Sequence, residues 1–399
     1  MIGLLPVEHF EYKFSDIIRG LAAALSPAKM TGILSIHGLG NCIPVRSARA
    51  GIVAAIRALE LPPGARIGVP LYCCPVVFKA IEMAGCKACF IDVEYSTYCM
   101  SAEDLFTKRT HLDAAIAVHM FGNPCDMSSL KEAMQGKPII EDCAQSIGSN
   151  LDGRMAGSFG AIAAFSFRSG KYLSVGEGGA LFSSNEDVRT RLSKLVFAMP
   201  IPGRAEECAH VAETFIRAQL RSKPLWGIVG DPLWKIYNKK VDYTAKSPIV
   251  ISQIYRSDLN MTINRLTLLD SIIEKQRANT DFYSRTLKLD PGMLCSERPG
   301  TFYNRYLYPI TFYSSEQRDF IASYLYSRQI STMQPYKDIA DVAATHYGYK
   351  GDCPVAEQIA NRVLVIPSYY DLNKDDVQRI AQYVNEGWEE ITRSGLSKN

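Results

Sequence analysis

Between residues 42 and 183, short runs rich in Val, Ile, Ala and Phe alternate with stretches whose apolar residues recur at helical spacing. Cys42-Ile-Pro-Val45, ARIGVP, KACFIDVE, DAAIAVH, PIIED, AIAAFSF and GALFSS predict strands. AGIVAAIRALEL, PVVFKAIEMAG, residues 101–108, MSSLKEAMQG and residues 186–197 predict helices. Apolar strands separated by helices indicate a mainly parallel sheet covered on both faces. Ligands bind such sheets beyond the carboxyl ends of the strands. At those ends the sequence puts Ser47/Arg49, Tyr72-Cys73-Cys74, Asp92, His119 and Asp142.

Outside that region the texture differs. One amphipathic helix is predicted at about 15–25, followed by a Gly-rich approach. Residues 203–250 hold a basic helix (AETFIRAQLRSK) and an apolar, aromatic patch, PLWGIVGDPLWKIY. Gly and Pro break the patch and it is too short to span a bilayer, so burial between subunits is the expectation. From about 250 a long helix over roughly 257–288 leads to a strand in RYLYPITFY. A helix in SEQRDFIASYLYSR, a strand in RVLVIP and a closing amphipathic helix in DDVQRIAQYVNEGWEEI follow. The expected division is a large α/β domain, 1–250, carrying the arm 203–250, and a smaller α+β domain, 251–399.

Composition narrows the function. The 399 residues are 47% hydrophobic, so a large core is available. A net charge of +3 gives no bulk attraction for nucleic acid. No window of about 18 apolar residues offers a membrane span, and the N-terminus lacks the pattern of a signal peptide. The 11 cysteines then read as reduced thiols of a cytoplasmic protein. Cys86-Lys-Ala-Cys89 has metal-ligand spacing but no second CxxC, so no metal site is expected.

The chemistry gathers in residues 138–180, PIIEDCAQSIGSNLDGRMAGSFGAIAAFSFRSGKYLSVGEGGA. Lys171 sits between two predicted strands, where desolvation would depress its pKa as a Schiff-base amine requires. Asp142, 29 residues earlier, closes an apolar strand and could hold a proton on a pyridine nitrogen. Ser166, five residues before the lysine, offers a hydroxyl to a phosphate, and Arg49 or Arg168 could add charge. Gln145 could reach a ring oxygen. Ser47 heads a helix whose free N–H groups also suit a phosphate. Amine, anion and phosphate donors are the set that binds pyridoxal 5′-phosphate.

The same stretch resembles the DegT/DnrJ/EryC1/StrS family of pyridoxal-phosphate-dependent aminotransferases of fold type I. The likeness runs through the acid, the glutamine, the serine of FSF, the lysine and the EGG turn. GVPLYCCPVVFKAIEMAGCKACFIDVE, VHMFGNPCDM and GDCPVAEQIANRVLVIPSYYDLNKDDV resemble further segments of that family, so the similarity extends with gaps from about 45 to 390. It implies a mainly parallel seven-stranded sheet in the large domain, a smaller α+β C-terminal domain and a homodimer. It also implies Lys171 as the Schiff-base lysine, Asp142 as partner of the pyridine nitrogen and Gln145 as contact of the phenolic oxygen. Ser166 and the backbone at Ala48 and Arg49 would hold the phosphate.

Three positions depart from the family pattern. Ser47-Ala48-Arg49 stands where Ser-Gly-Thr is usual. Cys74 replaces a ring that stacks on the cofactor, leaving either Cys74 or Tyr72 for that place. Arg168 replaces a histidine and is, with Tyr72, a candidate for substrate binding. A lysine at 171 disfavours the family's dehydratase branch.

The resemblance implies a two-stage transfer from an amino donor, glutamate, to a keto sugar, most often nucleotide-linked. The alternatives are a pyridoxal-phosphate-binding protein without transaminase activity, with a regulatory or assembly role, and a related enzyme acting on a cyclitol or amino acid.

Overall fold

The computed structural model describes residues 3–26, 34–223, 225–238 and 248–394. Helix α1 (Phe14–Leu25) precedes strands β1 (Leu34–Ile36) and β2 (Gly40–Val45). Alternation follows: α2 (Ala48–Ala58), β3 (Arg66–Pro70), α3 (Val76–Met83), β4 (Lys87–Ile91), α4 (Ala102–Lys108), β5 (Ala114–Val118), α5 (Met127–Met134) and β6 (Ile139–Cys143). A small ribbon, β7 (Asn150–Leu151) and β8 (Arg154–Met155), leads to β9 (Ile162–Ser166), β10 (Gly179–Phe182) and α6 (Glu186–Phe197).

All seven strands expected from the apolar runs join one sheet, in the order β1-β2-β10-β9-β6-β5-β3-β4. The three-residue β1 adds an eighth strand at the edge. The sequence showed only a Gly-rich approach there, because three residues carry too little pattern to stand out. The pairs β4/β3, β3/β5, β5/β6 and β6/β9 are parallel, whereas β10 runs antiparallel to both neighbours. Since β10 reverses between β9 and β2, those two run the same way. The carboxyl ends of β2, β5, β6 and β9 therefore share one rim with the start of β10. Strands β5, β6 and β9 are buried at every position, which is why they read as continuous apolar runs.

The arm begins with α7 (Arg204–Leu220), then a π-helical turn over Trp226–Gly230 and α8 (Asp231–Asn238). Its residues 224 and 239–247 lie outside the described residues, as do 395–399. The long helix expected over 257–288 is two helices, Arg256–Leu266 and Leu269–Thr286. Thr267 turns its hydroxyl back to the carbonyl of Asn264 (2.7 Å) at the break, a local hydrogen bond that competes with helix continuation. Beyond it, β11 (Tyr308–Thr311) and β12 (Val363–Ile366) form an antiparallel pair. Helices Ser315–Ser327 and Lys374–Ser394 pack around them.

Three apolar clusters result. One packs Ile91, Leu105, Ala115, Met127 and Ile139 under α4 and α5. Of the other two, the larger packs on the sheet and still takes Ile254, Leu259, Leu269 and Ile273 from beyond residue 250. The smaller joins Tyr283, Ile310, Phe312, Ile321, Leu364 and Trp388, with Leu5 supplied by the N-terminal segment.

One polar group is built into the larger cluster. Glu141, on β6, is fully buried and pairs with the Nε2 of His119 at 3.0 Å. Its carboxylate accepts the N–H groups of Gly157 (2.8 Å), Phe159 (2.7 Å) and Gly160. Burial alone would raise its pKa, but the His119 contact and these N–H donors outweigh burial and hold it below the usual glutamate range. Glu141→Ala should therefore lower the unfolding free energy by about 3 kcal/mol or more, because each buried N–H left unpaired costs about 1–3 kcal/mol. Glu141→Gln should cost less, and urea titrations at neutral pH check the order. A depressed folded pKa places this stabilisation fully above the unfolded value of about 4.3 and removes it as pH falls through the folded value. Acid titrations of Glu141→Gln should lack that limb.

Candidate active site

Helix α2 starts on the rim. Ser47 is extended (φ −165°) and caps the helix, its Oγ accepting the N–H of Ala50 at 3.3 Å. Ala48 and Arg49 thus open a helix whose first N–H groups have no intrahelical partner. Ser166 ends β9 and faces this helix start across the sheet, since Ser166 pairs with Gly179 and Ser47 bridges Gly178. The Ser166 Oγ accepts only a long bond (3.5 Å) from the N–H of Arg168.

Lys171 is half-buried in the turn that follows β9. The backbone there closes on itself. The N–H of Lys171 donates to the carbonyl of Arg168 (2.9 Å), and the Ser174 hydroxyl donates to the carbonyl of Lys171 (2.6 Å). Its Nζ lies 4.9 Å from the centre of the Tyr306 ring, and the Tyr306 hydroxyl donates to the carbonyl of Gly170 (2.6 Å). Burial, then Arg168, push the pKa of Lys171 down.

Asp142 lies 5% exposed at the end of β6. Its Oδ1 accepts the N–H of Ala144 at 3.0 Å. Burial raises its pKa, and Ala144, Lys171 and His119 only partly offset that. A group that brings a positive N–H to this carboxyl would be stabilised by it, and the carboxyl by the group. Gln145 is buried, its Oε1 accepting the N–H of Phe121 (3.0 Å) while its Nε2 meets only the Met120 sulfur (3.7 Å). The amide is thus fixed in place with its donor end weakly used.

The remaining predicted positions fare differently. Arg49 is half-buried and makes no ion pair among the described residues. Burial, then Arg168, disfavour its charge. Cys74 is exposed, two residues before α3. Tyr72 is fully enclosed. Its ring packs on Tyr98, Phe121 and Tyr336, and its hydroxyl donates to the carbonyl of Pro335 at 3.2 Å. Tyr72 is thus enclosed by rings, whereas Cys74 is exposed. Asp92 is taken up by a cap: it accepts the N–H groups of Val355 (3.1 Å) and Ala356 (2.8 Å) at the start of helix Pro354–Arg362.

Several residues that support the site gave no local signal in the sequence. Arg46 binds Glu177 (Nε to Oε2, 2.6 Å), and its guanidinium stacks on Tyr255. The N–H of Glu177 donates to Asp258 (3.0 Å), which also holds His210 (2.9 Å). Gly176 lies at φ +122°, and a Cβ there would fall 2.8 Å from both His210 Nε2 and Thr214 Oγ1, so only glycine fits the turn. Asn304 braces the opposite wall, donating from Nδ2 to the carbonyls of Gln145 and Ile147, both at 2.9 Å.

Among the described residues, His119, Glu141 and Cys143 are the one group spaced to hold a metal. Their donors are already engaged: Nδ1 of His119 accepts the N–H of Cys125 (3.0 Å), which leaves its Nε2–H for Glu141. Cys89 takes a bond from Arg66 Nε (3.3 Å) and does not join such a group with Cys86.

A pyridoxal phosphate fits the residues present. An amine with depressed pKa faces a carboxyl with raised pKa, and a helix start with an unpaired arginine stands beside them.

The sequence profile of the DegT/DnrJ/EryC1/StrS aminotransferase family matches residues 31–206 and 258–385. The UDP-N-acetyl-3-dehydro-alpha-D-glucosamine 3-aminotransferase of Acidithiobacillus ferrooxidans is 25% identical over 94% of this chain and 95% of its own. The L-glutamine:2-deoxy-scyllo-inosose aminotransferase of Streptomyces fradiae is 31% identical, over 40% of this chain and 38% of its own. Among solved structures, the aminotransferase TlmJ from Streptoalloteichus hindustanus superposes with a TM-score of 0.73 at 20% identity, covering 98% of this chain and 100% of that one.

The depressed amine of Lys171 gives a direct test on cofactor-free protein. Acetylation of Lys171, followed by peptide mass spectrometry across pH, should show a midpoint below that of a free lysine amine. Arg168→Gln should move that midpoint up, and an unmoved midpoint would rule out Arg168 as a cause.

Proposed function

Because the chain belongs to the DegT/DnrJ/EryC1/StrS aminotransferase family, we propose that it moves an amino group from glutamate to a keto sugar carried on a nucleotide, using pyridoxal phosphate held by Lys171 and Asp142. The observation that carries this reading is the opposed pair of environments on one rim. Lys171 is pushed toward the neutral amine and Asp142 toward a carboxyl that welcomes a cation. The bound cofactor supplies a carbonyl that condenses with amines and a ring that accepts the electrons released at the donor's α-carbon.

The protein's own residues would do the rest. Lys171 Nζ, unprotonated for part of the time, takes the proton from the α-carbon of the donor and later delivers one to the acceptor. The Tyr306 ring and the hydrogen bond from its hydroxyl to Gly170 keep that amine from swinging away from the pocket. Asp142 holds a proton on the pyridine nitrogen, and its single backbone hydrogen bond from Ala144 fixes its orientation. Gln145 Nε2 donates to the phenolic oxygen. Ser166 Oγ, the backbone N–H groups of Ala48 and Arg49 and the Arg49 guanidinium take the phosphate. Cys74, exposed ahead of α3, would be the side chain nearest the cofactor from that segment.

The substrate class is supported by the Acidithiobacillus relative, which spans almost the whole chain and is named for a UDP-linked keto sugar. A cyclitol ketone is the second reading, favoured by the 31% identity to the inosose aminotransferase across part of the chain. We also read the protein as a cytoplasmic homodimer. No helix among the described residues is long and apolar enough to cross a membrane. Phe14, Ile18, Ile228, Leu233 and Ile236 are exposed apolar side chains suited to a subunit contact.

Purified protein reconstituted with pyridoxal phosphate should show a visible absorbance band that L-glutamate removes and a nucleotide-linked keto sugar restores. Lys171→Ala should lack the band. Asp142→Asn should keep it while slowing removal by about a hundredfold or more, the scale on which a positioned proton-holding group acts. A wild-type band that no amino acid alters would sink the proposal.

A further inference from the structure

The turn that carries Lys171 is bracketed by two guanidinium groups that a cofactor phosphate does not account for. Arg168 lies three residues before Lys171, exposed, with no ion pair from its side chain among the described residues. Arg221 follows the last turn of α7 and reaches the same turn from the arm. Its Nη1 would lie 3.3 Å from a Cβ on Gly170, the residue next to Lys171. That nitrogen is enclosed yet has no hydrogen-bond partner. Glu8 forms an ion pair with it at 3.6 Å, too long for a hydrogen bond, so the nitrogen keeps its capacity to donate. Phe10 and Trp234 flank the guanidinium, 5.8 and 5.7 Å from their ring centres, and keep it from folding out into solvent.

Like charges gathered here are unfavourable without an anion. Arg168 opposes the charge on Arg49, Lys171 and Arg221 alike, while Asp142 acts with opposite sign on Lys171, Glu8 on Lys171 and Arg221, and Glu177 on Arg49. Glu177 is committed to Arg46. Arg49, at the start of α2, suits the cofactor phosphate, so Arg168 and Arg221 remain for a second anion. Its identity follows from connectivity. The α-carboxylate of an amino donor is bonded to the carbon that bears the transferred amine, so it must bind beside Lys171. The diphosphate of a nucleotide-linked sugar is separated from the reacting carbon by the sugar ring and must bind farther out.

We propose that Arg168 and Arg221 form the carboxylate-binding site for the amino donor, and that the arm over residues 203–238 serves to deliver Arg221 to it. This rests on the aminotransferase reading above. Bidentate guanidinium–carboxylate pairing gives both affinity and a fixed orientation of the α-carbon toward Lys171 Nζ.

The test uses the pyridoxal-phosphate-loaded protein and two separate readouts. In the donor half-reaction followed by cofactor absorbance, Arg168→Gln and Arg221→Gln should each raise the half-saturating L-glutamate concentration about tenfold to a hundredfold. Cofactor content should stay at the wild-type level, and Arg221→Lys should recover part of the loss. By calorimetry, glutarate, which has carboxylates but no amine, should bind wild type and bind each Gln variant more weakly by a similar factor. Arg168 is exposed, so its variant reports even if Arg221→Gln folds poorly. Loss of cofactor with unchanged glutarate affinity would assign the arginines to the phosphate and overturn the proposal. Weaker UDP binding with unchanged glutamate saturation would assign them to the acceptor and overturn it equally. Should wild type bind glutarate through these arginines yet transfer no amine, the aminotransferase reading fails while the carboxylate site stands.

Discussion

Strand alternation at the end of β6 sets the terms for the rest of the molecule. Glu141 and Asp142 are neighbours on an extended segment, so their side chains leave opposite faces of the sheet. Glu141 enters a shell of three backbone N–H groups and His119, which hold it ionised. Asp142 emerges on the other face with one N–H donor, and Lys171 only partly offsets the burial that raises its pKa. Two carboxylates one residue apart thus have pKa values pushed in opposite directions. A one-residue slip of β6 would exchange their places, putting an unsatisfied acid in the core and a satisfied one in the pocket. The Gly157–Gly160 turn locks the register by donating three N–H groups to Glu141.

The Lys171 turn depends on that frame but is held by distant parts of the chain. One side is tied through Arg46, Glu177, Asp258 and His210 to α7 and helix Arg256–Leu266. The other rests on Tyr306 and Asn304, from a segment where Arg305 adopts φ +56°. A non-glycine residue in that conformation persists only where its surroundings fix it, and here both neighbours are anchored by hydrogen bonds into the site. Rigid support on two sides keeps the amine within reach of a pocket that must serve two different substrates in turn.

The central strands were legible because burial on both faces leaves them nothing but apolar residues, as in Ile162–Phe165. Asp142 and Lys171 stood out in the sequence because one ends an apolar run and the other lies in the turn between two. The edge strand Leu34–Ile36 and the break after Leu266 were not, since three residues carry little pattern and the amphipathic period runs on through Thr267. Nor could Tyr72 be distinguished from a free ring, because its enclosure comes from Phe121, Tyr98 and Tyr336, up to hundreds of residues away. Arg221, Glu8 and Asn304 left no trace for the same reason. Contacts across the fold depend on topology, which local composition does not encode.

The antiparallel strand β10 also bears on how the chain is made. Val45 pairs with Gly179, and Ile43 with Leu181, so β2 finds its sheet neighbour only after roughly 130 further residues have left the ribosome, about ten seconds of synthesis. Until then β2 can pair only with the short β1, and its other edge is open to any extended segment. The half-built sheet therefore carries an open edge throughout that interval. Completion comes abruptly, when one four-residue strand slots between β2 and β9 and brings the Lys171 turn with it.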